Sequence, residues 1–147
     1  MKRRTFLLAS AAILLLPVPA IADTGIRATL YKNPQCSCCE GYADYLRQNG
    51  FQVDVKPTND LAEISRKAGV PEELDGCHTM FIGDYVIDGH VPVSIVRRLL
   101  AERPAIAGIT LPGMPMGSPG MVGAKTEKFV VYALTKDGKA PTVYATE

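Results

Sequence analysis

The sequence predicts a mixed α/β fold on three observations. Apolar residues alternate with polar ones in short segments, stretches with apolar residues at helical spacing separate those segments, and three cysteines crowd the first junction between the two patterns.

Ile26, Ala28 and Leu30 alternate with Arg27 and Thr29, so a first strand runs from Ile26 to Tyr31 into the turn signal Asn33-Pro34. The cysteines follow at once. Tyr42, Tyr45 and Leu46 then share a helical face that stops at Asn49-Gly50, which puts Cys38 and Cys39 in the first turn of that helix. Phe51, Val53 and Val55 mark a second strand, and Asn59 or Asp60 stands where a cap is needed for a helix carrying Leu61, Ile64 and Ala68. Gly69 and Pro71 end that helix. Thr79–Ile82 and Tyr85–Ile87 flank Gly83-Asp84, the pattern of a tight hairpin. Pro92, Ile95, Val96, Leu99 and Leu100 describe an amphipathic helix with proline in its first turn. From Arg103 to about Lys125 no period supports a helix or strand, so a long loop rich in methionine, proline and glycine is expected. Phe129–Leu134 and Thr142–Ala145, joined by Lys136-Asp137-Gly138-Lys139, close the chain as a hairpin.

Strand, helix, strand, helix, hairpin, helix is the order of a thioredoxin or glutaredoxin core. Parallel strands joined by a helix need a right-handed crossover, which leaves few other topologies; a different α/β sandwich is the alternative. The fold class expected is therefore α/β, a thioredoxin-like mixed sheet flanked by helices, with a Met/Pro/Gly-rich loop and a C-terminal β-hairpin.

The first residues bear on location. Lys2, Arg3 and Arg4 precede an apolar run from Phe6 to about Pro17, and Ala20-Ile21-Ala22 supplies a small-x-small cleavage pattern. Residues 1–22 thus read as a signal peptide and residues 23–147 as one mature domain, exported to the periplasm with no stable membrane insertion. Arg3-Arg4-Thr5-Phe6-Leu7 also resembles a twin-arginine export signal, so both the general secretory and the twin-arginine routes stand. Losing three cations, with no acid in that segment, takes the formal charge from +1 to −2. A chain so near neutrality has no electrostatic basis for holding nucleic acid.

A domain of about 125 residues does not need disulfide staples to fold. Cys36, Cys38 and Cys39 lie within four positions and Cys77 follows far along the chain, so their placement suits chemistry better than loop closure. Cys36 and Cys39 make a C-x-x-C pair, and Cys38 adds a third sulfur that an oxidoreductase does not need. A structural alternative bridges Cys36 or Cys39 to Cys77. Cys77-His78 occupies the place where a thioredoxin-like protein carries the proline facing its cysteine pair, which makes Cys77 a fourth sulfur and His78 a candidate nitrogen ligand, the alternative for His78 being a partly buried residue bonded to backbone. His90, at the hairpin-helix junction, reads equally as a cap or a ligand. Met114, Met116 and Met121 offer thioethers as peripheral ligands, or simply pack their loop. Soft sulfur and imidazole select copper(I), with zinc the chief competitor and iron–sulfur clusters behind it. Sulfurs so crowded suit several bridged Cu(I) ions better than one tetrahedral ion.

Tyr31 to Cys39, Cys77-His78-Thr79, Val86 to Pro92 and Leu111 to Met121 together resemble the CopG-like copper-resistance family, long catalogued only as a domain of unknown function. The resemblance implies a periplasmic thioredoxin-like fold and a cysteine-bridged multinuclear copper cluster. It also implies a role in copper redox interconversion, that of a copper-dependent oxidoreductase, with Cys36, Cys38, Cys39 and Cys77 as cluster thiolates. Ser37 departs from the glycine commoner at its place in the family motif, and a serine there is suited to capping the helix. Three functions stand: a copper protein that cycles electrons or passes copper to efflux or copper-handling partners; a thiol-disulfide oxidoreductase with Cys36 attacking and Cys39 resolving; and a copper chaperone without redox turnover.

Overall fold

The computed structural model describes residues 25–147. The expected signal peptide, residues 1–22, lies outside the described residues. In chain order the elements are β1 (Ile26–Lys32), α1 (Ser37–Gln48), β2 (Phe51–Pro57), α2 (Leu61–Lys67), a 3-10 turn (Glu72–Leu74), β3 (His78–Ile82), β4 (Tyr85–Asp88), α3 (Val93–Glu102), β5 (Gly108–Thr110), β6 (Val130–Leu134) and β7 (Thr142–Thr146). Among the described residues, no helix is long and apolar enough to cross a membrane.

One seven-stranded sheet in the order β2-β1-β3-β4-β5-β6-β7 organises the domain. β1 runs parallel to β2 and antiparallel to β3, and β3 antiparallel to β4, which is the thioredoxin-like half. β5 lies parallel to β4 and antiparallel to β6, so it joins the C-terminal hairpin to the same sheet. That strand corrects the expectation of an uninterrupted loop from Arg103 to Lys125. Gly108-Ile109-Thr110 is only three residues long and wholly buried, so it carries no alternation to read.

The main core lies on one face. Leu30, Met80, Ile87 and Ile109 from four adjacent strands cluster with Tyr42, Ala43 and Leu46 of α1 and Ile95, Val96 and Leu99 of α3. Alternation along the strands turns Phe81 and Val86 to the opposite face, where they join a smaller cluster with Ala68, Val70 and Leu134. Two helix entries differ from expectation. Pro92 is the N-cap of α3 rather than part of its first turn. Asp60 is the N-cap of α2 without a side-chain cap bond; its own N–H donates to Thr58 Oγ1 at 3.0 Å.

Candidate metal centre

Strand pairing brings the cysteine segments together. Lys32, the last residue of β1, pairs with His78, the first of β3, so the loop leaving β1 meets the segment entering β3 at one end of the sheet. β4 then returns antiparallel to β3, with Asp88 opposite Thr79. Gly89 (φ 73°) turns the chain and donates its N–H to the His78 carbonyl at 3.2 Å, which brings His90 beside Cys77-His78. A Cβ at Gly89 would run into the Leu111 carbonyl, so the approach of the 111–128 loop requires glycine here.

Lys32 organises the cysteine loop. Its side chain is buried, and its ammonium donates to the carbonyls of Asn33 (3.3 Å), Pro34 (3.3 Å) and Cys36 (3.1 Å) while pairing with Glu40 at 3.1 Å. Cys36 is the N-cap of α1, whose entry has no side-chain cap bond. Ser37 is the first helical residue, so the expected serine cap is not formed.

The four sulfurs converge. Cys36, Cys38, Cys39 and Cys77 place their sulfurs within 4.8 Å of one another, and the same limit encloses the ligand atoms of Cys39, Cys77, His78 and His90. A disulfide joins Cys36 to Cys39, while Cys38 and Cys77 are free thiols. The structural alternative of a bridge to Cys77 is therefore replaced by the C-x-x-C pairing. Cys38 Sγ lies 3.5 Å from Cys36 Sγ and 3.8 Å from Cys77 Sγ, and Cys77 Sγ is 3.4 Å from Cys39 Sγ.

Both histidines are fully buried behind these sulfurs. His90 Nδ1–H donates to the Pro119 carbonyl at 2.6 Å, which fixes the tautomer and leaves Nε2 as the acceptor, 2.9 Å from Cys77 Sγ. Burial pushes the Cys77 thiol well above its usual range, and the neighbouring Cys38 adds to the shift, so the thiol proton sits between Cys77 and His90. Burial likewise lowers both imidazoles, His78 to about 3, and keeps them neutral. His78 Nδ1 lies 3.7 Å from Cys77 Sγ, and its Nε2 is buried without a hydrogen-bond partner among the described residues. Neutral imidazole is the form that ligates metal. His90 does not cap α3, so the capping alternative is corrected.

Several residues of this centre escape sequence reasoning. Tyr42, one helical turn after Cys39, stacks on His78 at 4.7 Å between centroids and donates its hydroxyl to the Val91 carbonyl at 2.8 Å. Asp88 is buried, accepts from Thr79 Oγ1 at 2.7 Å and from the Gly76 N–H, and so braces the segment carrying Cys77. Burial raises its carboxyl to about 7 against those two bonds. Helical spacing marks Tyr42 only as core; Lys32, Asp88 and Pro119 fall inside the segments that carry the family resemblance, but neither period nor residue chemistry marks what they do.

Met114 and Met116 are exposed in the 111–128 loop, and Met121 is half-buried there. Successive turns order this loop: Ser118 donates both its N–H and its hydroxyl to the Pro115 carbonyl, and Met121 donates its N–H to Ser118. The loop rests on α1 where Gly120 passes so close to Tyr42 that a Cβ would strike the Tyr42 backbone nitrogen.

The family described as "Protein of unknown function, DUF411" matches residues 74–121, the span holding Cys77, both histidines and the methionine loop. No curated protein matches the chain. Two solved structures, described as "Copper resistance protein copG", Form 2 and Form 1, each superpose with a TM-score of 0.77 at 32% identity. Each alignment covers 84% of this chain and 98% of the other. With identity at that level over nearly the whole of those structures, this chain belongs to the CopG copper-resistance family.

Proposed function

We propose that residues 23–147, freed of the signal peptide 1–22, form a periplasmic copper-binding protein of copper resistance that holds several Cu(I) ions. Cys36, Cys38, Cys39 and Cys77 supply thiolates, and His78 and His90 supply imidazole nitrogens. The observation that carries this reading is the overlap of an all-sulfur set and a mixed sulfur–nitrogen set that share Cys39 and Cys77. A sulfur common to two sets is placed to bridge metal ions, and soft bridging thiolates favour Cu(I). The neutral, tautomer-fixed His90 and the neutral His78, whose Nδ1 lies 3.7 Å from Cys77 Sγ, add nitrogen donors that need no deprotonation before binding. Met114, Met116 and Met121 serve as peripheral thioethers at the surface. Redox interconversion of bound copper and its transfer to an efflux partner both use this one ligand set.

The test is an anaerobic Cu(I) titration of fully reduced protein, with zinc as competitor. More than one Cu(I) per chain, undisturbed by zinc, is expected; an endpoint at one equivalent, or preferential zinc loading, overturns the reading. The Cys36–Cys39 bridge favours a second reading, a thiol-disulfide oxidoreductase with Cys36 attacking and Cys39 resolving. Cys38→Ser separates the two, because it damages a copper cluster and spares a C-x-x-C exchanger.

A further inference from the structure

The Cys36–Cys39 disulfide withdraws two of the four sulfurs that the copper reading uses. Those sulfurs become ligands only after a two-electron reduction, and the structure defines where a reductant can reach the bridge. Cys39 is fully buried, whereas Cys36 is half-exposed and lines an open groove of about 390 Å³ with Asn33, Pro34, Gln35 and Asn59. The groove walls carry amides and a proline ring and no charged side chain, a surface suited to the uncharged backbone of a peptide.

We infer that Cys36 is the entry point for an external dithiol, a cysteine pair on an extended peptide segment, and that its attack gates copper loading. The inference rests on the copper reading above. In the first step a thiolate of the partner attacks Cys36 Sγ, the Cys36–Cys39 bond breaks, and Cys39 leaves as thiolate and takes up a proton from solvent. The bridged Cys39 sulfur has no hydrogen; once protonated, it lies 3.3 Å from the Cys77 carbonyl, a ready acceptor for the new S–H. In the second step the partner's other thiolate attacks its own sulfur in the mixed disulfide and expels Cys36. The partner ends as a disulfide, and two electrons have passed to Cys36 and Cys39.

Cys38 decides the class of reductant. Its sulfur lies 3.5 Å from Cys36 Sγ, in van der Waals contact and placed to attack any mixed disulfide there. That attack forms a Cys36–Cys38 bond and expels the reductant unchanged, so a monothiol only shuffles the bridge. A dithiol escapes this futile cycle because its second thiol is tethered to the reacting sulfur and competes intramolecularly.

The experiment uses metal-free, bridged protein and three probes: glutathione, a thioredoxin with both active-site cysteines, and the same thioredoxin with its resolving cysteine changed to serine. The serine form is expected to become trapped as a mixed disulfide that peptide mass spectrometry maps to Cys36. The dithiol form should yield four free thiols roughly tenfold faster than glutathione at equal thiol concentration. Cys38→Ser should raise the steady level of the glutathione adduct. Trapping at Cys39, glutathione as effective as the dithiol, or no change in adduct level in Cys38→Ser would overturn the inference. Cu(I) uptake by protein before and after reduction completes the test: uptake rising with reduction is expected. Equal uptake in both states refutes the gate and leaves the copper reading standing, and no uptake by reduced protein refutes the copper reading while the mapped exchange at Cys36 stands.

Discussion

Replacing Lys32 by methionine keeps the length and apolar body of the side chain and removes only its ammonium. In the structure that group is the shared donor to three carbonyls of the cysteine loop and the partner of Glu40. Asn33 and Pro34 are exposed, so water replaces the lost donor at their carbonyls; the Cys36 carbonyl at the half-buried helix entry keeps the first intrahelical bond of α1 and loses its charge-assisted one. That charge-assisted bond contributes about 1.5–3 kcal/mol, and the lost bonds to the exposed carbonyls add a smaller amount. The expected loss is therefore about 2–4 kcal/mol, equivalent to a fall in melting temperature of roughly 10 °C for a domain of this size. Glu40→Gln is the control: Glu40 is half-exposed, and its pairing with Lys32 contributes only about 0–1 kcal/mol. Thermal and urea melts of the metal-free proteins measure both losses, and Cu(I) competition reports whether loosening the loop also weakens the site. If Lys32→Met melts within about 2 °C of wild type, the ammonium is not what holds the loop, and the reasoning fails.

Four further outcomes are expected. Cys77→Ser lowers Cu(I) affinity about as much as Cys38→Ser, while Met116→Leu costs much less, measured by competition with a chromophoric chelator; wild-type binding by Cys77→Ser removes that residue from the ligand set. His90→Gln lowers Cu(I) affinity roughly tenfold or more, because it removes the nitrogen 2.9 Å from Cys77; unchanged affinity in the same assay makes His90 a purely structural residue. Gly89→Ala destabilises the metal-free domain by about 3 kcal/mol, combining a left-handed backbone with a clash against Leu111, and a urea midpoint near wild type would contradict the close approach. Cu(I) affinity rises with pH, since burial holds the proton on Cys77 in the free site and metal must displace it; calorimetry in buffers of different ionisation enthalpy should show that proton released, and its absence would mean the thiolate exists beforehand.

The legible parts of the sequence are those where a period or a turn residue acts locally. The alternation in β1 and β2, the Gly83-Asp84 turn and the apolar stripe of α3 each declare an element without reference to the rest of the chain. β5 is illegible for the converse reason: three buried residues acquire strand geometry only by pairing with β4 and β6. At the metal centre, residue chemistry singles out the cysteines and His78, and strand order suffices to bring Cys77 toward the first helix. The burial of His90 is decided by a carbonyl 29 residues away, on a loop with no period, so its two readings could not be separated from sequence. Lys32 shows the same limit. It resembles any strand-end cation until three backbone carbonyls of the following loop fold over it.

The hydrogen bond from His90 to Pro119 has a consequence for how the chain folds. Groups that shape the centre come from the β1-α1 loop, the start of β3, the β4-α3 junction and the 111–128 loop, so they assemble only when contacts of long sequence separation have formed. A metal ion meeting the chain while it is still extended finds only the Cys36-Ser37-Cys38-Cys39 cluster and none of its distal partners. On the proposed ligand set, copper would therefore not act as a folding nucleus in the way zinc does for small finger modules. It would work as a lock applied to a finished scaffold, because the sheet must be complete and the methionine loop docked before all the proposed ligands stand together.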